Sequence, residues 1–95
     1  MKNWMLVCCC ERDIETPRFF DTKEEAVKAM CADVADVLGM TVDEVMKVRA
    51  NGDICRDTEP GKINDYAWIA DDYAWSDRRV RCDWKIFNLI EEEIL

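Results

Sequence analysis

The sequence predicts a single small α+β domain, and three observations carry that prediction. A short apolar run opens the chain, two capped amphipathic segments separated by one glycine follow it, and two further alternating segments come after them. Its 95 residues are enough for one core and too few for two, so residues 1–95 read as one domain. The expected order is β-α-α-β-β, a three-stranded antiparallel-type sheet with a helical hairpin on one face.

The first strand is Trp4 to Cys10, WMLVCCC, apolar on both alternate faces and stopped by Glu11, Arg12 and Asp13. After Thr16-Pro17 and Phe19-Phe20 comes DTKEEAVKAMCADVADVLG. Thr22 and Glu25 have the spacing of a capping box, Asp21 competes as the cap, and acids crowd the first turn. Val27, Met30, Val34, Val37 and Leu38 recur at helical spacing, and Gly39 is placed to end the helix. The face formed by Val27, Met30, Val34 and Leu38 is expected to meet Leu6, Trp68 and Ile86.

The second helix uses the same device, with Thr41 and Glu44 as its box and Met40 and Val45 as a hydrophobic staple. Asn51-Gly52 stops it. Asp53 to Ile63 is polar and contains Pro60-Gly61, a turn signal. Tyr66 to Ala70 alternates as a strand and Asp71-Asp72 ends it. Ser76 to Cys82 reads as a polar connection, and Trp84 to Ile90 as a third strand that forms a long-looped hairpin with the second. The tail, Glu91 to Leu95, fits a strand extension, a helical turn or a frayed end equally well.

The tetrapeptide Asp-Tyr-Ala-Trp occurs twice, at 65–68 and 72–75. Repeat architectures need about three units to build a core. The first copy is therefore expected inside a strand, and the second beyond its end as a loop anchor.

Composition narrows function mostly by exclusion. Twenty-one acidic residues oppose thirteen basic ones, for a net charge of −8. Such a surface repels nucleic acid and anionic membranes and is drawn to basic clefts. The apolar run at Trp4 to Cys10 is about a third of a membrane span, and the beginning of the chain lacks a signal-peptide pattern. A cytoplasmic protein is the expectation. Six cysteines and no histidine give neither a C-x-x-C pair nor a mixed zinc site. All six are expected as reduced, metal-free thiols in a reducing compartment, behaving as small hydrophobes.

Asp71, Asp72, Asp77 and Asp83 lack the order of a calcium loop. No base accompanies the cysteines and no glycine-rich phosphate loop exists, so the chain is expected not to be an enzyme and to need no cofactor. The remaining candidates are Asp71, Asp72, Tyr73, Trp75 and Asp77, where aromatic area sits among carboxylates. That combination suits an arginine-bearing protein partner. The alternatives are a small module in which these carboxylates and Arg78, Arg79 and Arg81 hold a polar ligand or ion, or a purely structural domain.

Phe20-Asp21-Thr22-Lys23-Glu24-Glu25-Ala26, Ala74-Trp75 and Asp83-Trp84-Lys85-Ile86-Phe87 resemble the punctuation of small uncharacterised acidic proteins of Firmicutes and their phages or mobile elements. The resemblance implies no activity and no catalytic residue. Size and charge alone extend the analogy to anti-CRISPR inhibitors, several of which resemble nucleic acid in charge. An inhibitor of that kind would dock on a basic cleft of a nucleic-acid-handling protein.

Overall fold

The computed structural model describes residues 2–51, 62–70, 72–78 and 80–90. Its elements in chain order are β1 (Trp4–Cys10), β2 (Asp13–Ile14), β3 (Arg18–Phe20), α1 (Lys23–Leu38), α2 (Val42–Asn51), β4 (Lys62–Asn64), β5 (Ala67–Ile69), β6 (Tyr73–Ser76) and β7 (Cys82–Asn88). The α+β class stands. The three-stranded sheet does not, because the described residues form seven strands in the order β2-β1-β7-β6-β5-β4, with β3 also paired to β1.

Every pairing is antiparallel. The longest runs through the middle, where β1 and β7 match residue for residue from Trp4↔Asn88 to Cys10↔Cys82. The expected hairpin between the second and third predicted strands is absent: β6 lies between β5 and β7 and pairs with both.

Both helices form where their caps predict. Thr22 Oγ1 accepts from the Glu25 N–H at 3.2 Å, and Thr41 Oγ1 accepts from the Glu44 N–H at 3.2 Å. In the second box Glu44 Oε1 also accepts from the Thr41 N–H at 3.2 Å, closing it reciprocally. Thr22, and not Asp21, caps α1. Gly39 has φ 69°, and Met40 N–H reaches back to the Ala35 carbonyl at 2.9 Å. A Cβ at Gly39 would have to hold this left-handed conformation, which L side chains adopt only at a cost.

The helices cover one face of the sheet. Leu6 and Cys8 from β1, Ala67 and Ile69 from β5, Ala74 and Ser76 from β6, and Cys82, Trp84 and Ile86 from β7 all point toward them and are buried. Val27, Met30 and Val34 meet this surface as expected, and Leu38 packs partly buried at its margin. Trp68 does not join them. Alternation in β5 puts Ala67 and Ile69 inside and Trp68 on the opposite face, so the expected phase of that strand is off by one residue, which exchanges the two faces.

The two Asp-Tyr-Ala-Trp copies match in their Ala-Trp halves, although Tyr66 is exposed in a turn and Tyr73 begins β6. Ala67 and Ala74 are both 0% exposed, while Trp68 and Trp75 lie directly opposite each other across the β5–β6 pair. The repeat is a hairpin folded on itself, and Trp75 belongs to a strand where a loop was expected. The inward residues of β6, Ala74 and Ser76, are small, so the segment lacks the strong apolar alternation that announces a strand.

One further expectation fails at the end of the central pair. Cys10 and Cys82, 72 residues apart in sequence, are joined by a disulfide with their Cα atoms 4.1 Å apart. No local motif signals it, because antiparallel register alone sets the two residues opposite each other. Cys8, Cys9 and Cys31 are not in disulfides, and Cys55 lies outside the described residues.

Candidate functional site

Away from the helices, the sheet displays a continuous band of large side chains. It runs from Trp68 on β5 through Tyr73 and Trp75 on β6 and Phe87 on β7 to Met5, Val7 and Cys9 on β1. All are half-buried, and none belongs to the core cluster or packs directly against it. Cross-strand pairing assembles the band: Trp68 opposes Trp75, Phe87 opposes Met5, and Lys85 lies between Tyr73 and Val7. The Trp68 and Tyr73 rings meet at 6.1 Å, tilted by 51°.

Asp83 organises the charges of this face. Arg81 donates to its carboxylate through Nε at 3.2 Å and through Nη2 at 3.1 Å, and the Tyr73 hydroxyl donates to Oδ1 at 3.1 Å. The Arg81 guanidinium also stacks 4.8 Å above the Trp75 ring. Burial pushes the Tyr73 phenol above its ordinary value, and its hydrogen bond to Asp83 adds to the effect. Its bond to Asp83 raises Arg81 as well, opposed by partial burial. Lys85 Nζ bonds Asp72 at 2.9 Å and lies 6.0 Å from the Phe87 ring. Between these side chains is an apolar depression of about 140 Å³ lined by Val7, Cys9, Tyr73 and Phe87, with Asp83, Trp84 and Lys85 at its margins.

Of the residues singled out in the sequence, Asp72, Tyr73 and Trp75 come together here. Asp77 is exposed beyond β6, where its N–H bonds the Tyr66 carbonyl at 2.7 Å. Asp71 lies outside the described residues. Sequence reasoning missed Trp68, Lys85 and Phe87, and considered Arg81 and Asp83 only as parts of a ligand or ion site. The alternation of Asp83, Lys85 and Phe87 against Trp84 and Ile86 carried the signal, since it turns the first three to one face. The expected arginine cluster does not converge among the described residues: Arg78 donates to the Val37 carbonyl at 3.5 Å, whereas Arg81 serves Asp83. Arg79 lies outside them.

A second concavity opens on the helix side, at the edge of the core. It holds about 440 Å³ and is lined by Cys8 and Cys10 of β1, Glu15 and Thr16, Arg18 of β3, Asp33, Asp36 and Val37 of α1, and Trp84. Asp33 holds it together by pairing with Arg18 and accepting from Trp84 Nε1 at 3.3 Å. Cys8 Sγ lies 3.6 Å from Cys10 Sγ. Burial, with the negative charges of Glu15 and Asp33, pushes the Cys8 thiol up to about 12, so it stays protonated at neutral pH and is a poor nucleophile.

No group of three or more metal-binding side chains gathers among the described residues, and none of their helices is long and apolar enough to cross a membrane. No protein-family model, curated protein or solved structure matches the chain.

Proposed function

We propose that the chain is a non-catalytic, acidic protein-binding module that receives a basic, arginine-bearing partner on the helix-free face of its sheet. The observation that carries this reading is the band of Trp68, Tyr73, Trp75 and Phe87, half-buried and outside the core cluster. Contiguous apolar surface of this kind marks interaction sites, and tryptophan and tyrosine dominate their energetics. The internal contact of Arg81 is an example of how such a partner would be held, with a guanidinium on the Trp75 ring and a carboxylate from Asp83 at its edge.

Charge and anchor then have separate tasks. Asp72 and Asp83 are already paired with Lys85 and Arg81, so the −8 excess acts mainly from elsewhere on the surface and steers encounter. The aromatic band sets lifetime. In its most specific form the partner is a nucleic-acid-handling protein with a basic cleft, and the chain is an inhibitor of the kind that phages and mobile elements carry.

Binding kinetics with arginine-rich and lysine-rich peptides of equal length and charge test the reading. The arginine peptide is expected to dissociate more slowly, with Trp75→Ala abolishing that difference and added salt slowing association of both. Equal lifetimes for the two peptides, or an advantage for arginine that survives Trp75→Ala, would overturn it.

A further inference from the structure

The cleft on the helix side brings a disulfide, a free thiol and several charges to one opening, and its two bonded sulfurs are unequally placed. Cys10 is half-buried and lines the cleft, whereas Cys82 is 2% exposed and does not line it. We propose that Cys10 Sγ is a thiol-exchange site, at which an external thiol carrying a positive charge opens the Cys10–Cys82 bond.

Access fixes the direction of attack. The incoming thiolate forms a bond to Cys10 Sγ, the Cys10–Cys82 bond breaks, and Cys82 leaves with the electron pair and takes a proton from solvent. The product is a mixed disulfide on Cys10 and a free thiol at Cys82. A second molecule of the same thiol then completes the reduction by releasing the external disulfide and leaving Cys10 as a thiol. Cys8, although 3.6 Å from Cys10 Sγ, does not compete, because its thiol is held protonated in its buried and acidic surroundings. The bond therefore waits for an outside reductant.

Charge selects among reductants. Among the described residues lining the cleft, Glu15, Asp33 and Asp36 stand against one cation, Arg18, which pairs with Asp33; the remaining carboxylates repel anionic thiols and draw those bearing an ammonium group. An aminothiol or a cysteine in a basic peptide is the class that fits.

An independent feature receives the leaving group. Ser76 is 0% exposed, and its hydroxyl has no hydrogen-bond partner among the described residues, a state that ordinarily costs stability. Ser76 is directly opposite Cys82 in the β6–β7 register, and both side chains point to the buried face. Directly opposed side chains have Cβ atoms roughly 4.5–5.5 Å apart; with the disulfide intact the Ser76 hydroxyl makes no bond to the Cys82 sulfur, and in the exchange it turns to donate as negative charge develops there. Ser76 is a positioning residue for this exchange.

The test uses the oxidised chain with cysteamine, 2-mercaptoethanol and mercaptoacetate at equal thiolate concentration. Each rate is divided by that of the same thiol with a neutral small disulfide. Cysteamine is expected to open the bond fastest and mercaptoacetate slowest, about tenfold apart at low ionic strength, and salt should narrow the gap. Glu15→Gln with Asp36→Asn should narrow it as well. Peptide mapping of the acid-quenched intermediate should place the adduct on Cys10. Ser76→Ala should slow opening without lowering the melting temperature, whereas a merely structural serine would leave the rate alone. An adduct on Cys82, rates indifferent to thiol charge, or a chain isolated under oxidising conditions without the bond would each overturn the proposal.

Discussion

Both faces of the sheet carry tryptophan, and they use it in opposite ways. On the helix side Trp84 is 1% exposed, and its ring N–H is satisfied by Asp33. On the other side Trp68 and Trp75 are half-buried and face each other across two short strands. The same strands send Ala67, Ala74 and Ser76 inward. Side-chain size therefore does not decide which face of this sheet is core. The approach of α1 decides it, because a helix lying close over β6 leaves room for alanine and serine but not for a second tryptophan. The aromatic residues Trp68, Tyr73 and Trp75 of these two strands are left on the open face, while Ile69 of β5 goes inward.

Truncating the inner tryptophan is the strongest way to break this comparison. Trp84→Ala leaves a large cavity and removes one of the two donors to Asp33 Oδ2, and is expected to cost about 3–5 kcal/mol, measured by denaturant unfolding. A loss no larger than that of an outer-face substitution would show that the two faces have been misassigned.

The alkaline limb of the stability curve sharpens the inner side further. The folded-state value of Cys8, about 12, lies above its ordinary 9.0. Between those values the unfolded chain has lost the proton that the folded chain keeps, so stability from this group is intact below about pH 9 and falls as pH rises toward 12. The slope is at most about 1.4 kcal/mol per pH unit. Cys8→Ala should flatten it by that contribution. Equal slopes for the two chains between pH 9 and 12 would mean that the thiol is not buried.

On the outer side, Trp75→Ala removes a half-buried ring and the stack with Arg81 and is expected to cost about 1 kcal/mol. Its larger effect should fall on the lifetime of a bound arginine-rich peptide. A destabilisation matching that of Trp84→Ala would make Trp75 core and remove the binding face.

The mildest probe leaves the fold untouched. Iodoacetamide should label Cys9, half-buried on the open face, well before Cys8 or Cys31, both buried. Labelling of Cys8 or Cys31 at the rate of Cys9, followed by peptide mass mapping, would contradict the assignment of faces.

Where the sequence was legible, the signal was local. Thr22 with Glu25, Thr41 with Glu44, and Gly39 are written within a few residues of the structure they dictate, and both helices follow. β1 was legible as a continuous apolar run, and β7 as a strand placed two residues late, at Trp84 to Ile90 against Cys82–Asn88. β6 was not, because its buried positions are Ala74 and Ser76, and β2, β3 and β4 are too short to show a period. The outer face was half-legible: Tyr73 and Trp75 stood out as aromatics, but Trp68 was assigned to the wrong side by a one-residue slip. The disulfide and the cleft depend on the register between β1 and β7, a long-range relation that no window of sequence contains.

The pairing of β1 with β7 also bears on how the protein is made. A ribosome releases WMLVCCC early and its central partner, beginning at Cys82, 72 residues after Cys10. At roughly 5–20 residues per second, that interval is on the order of 4–14 s. Throughout it the most apolar strand of the nascent chain has its β7 edge open, a sticky template for other chains. The helices can coil in the meantime, but the sheet has no centre to close on. Chains stalled before Cys82 are expected to remain protease-sensitive and to recruit chaperones, and those stalled past Asn88 with β7 clear of the exit tunnel to resist. The sheet of this domain therefore closes only once β7 is available, and the crowding of the polysome is the hazard that β1 must survive until then.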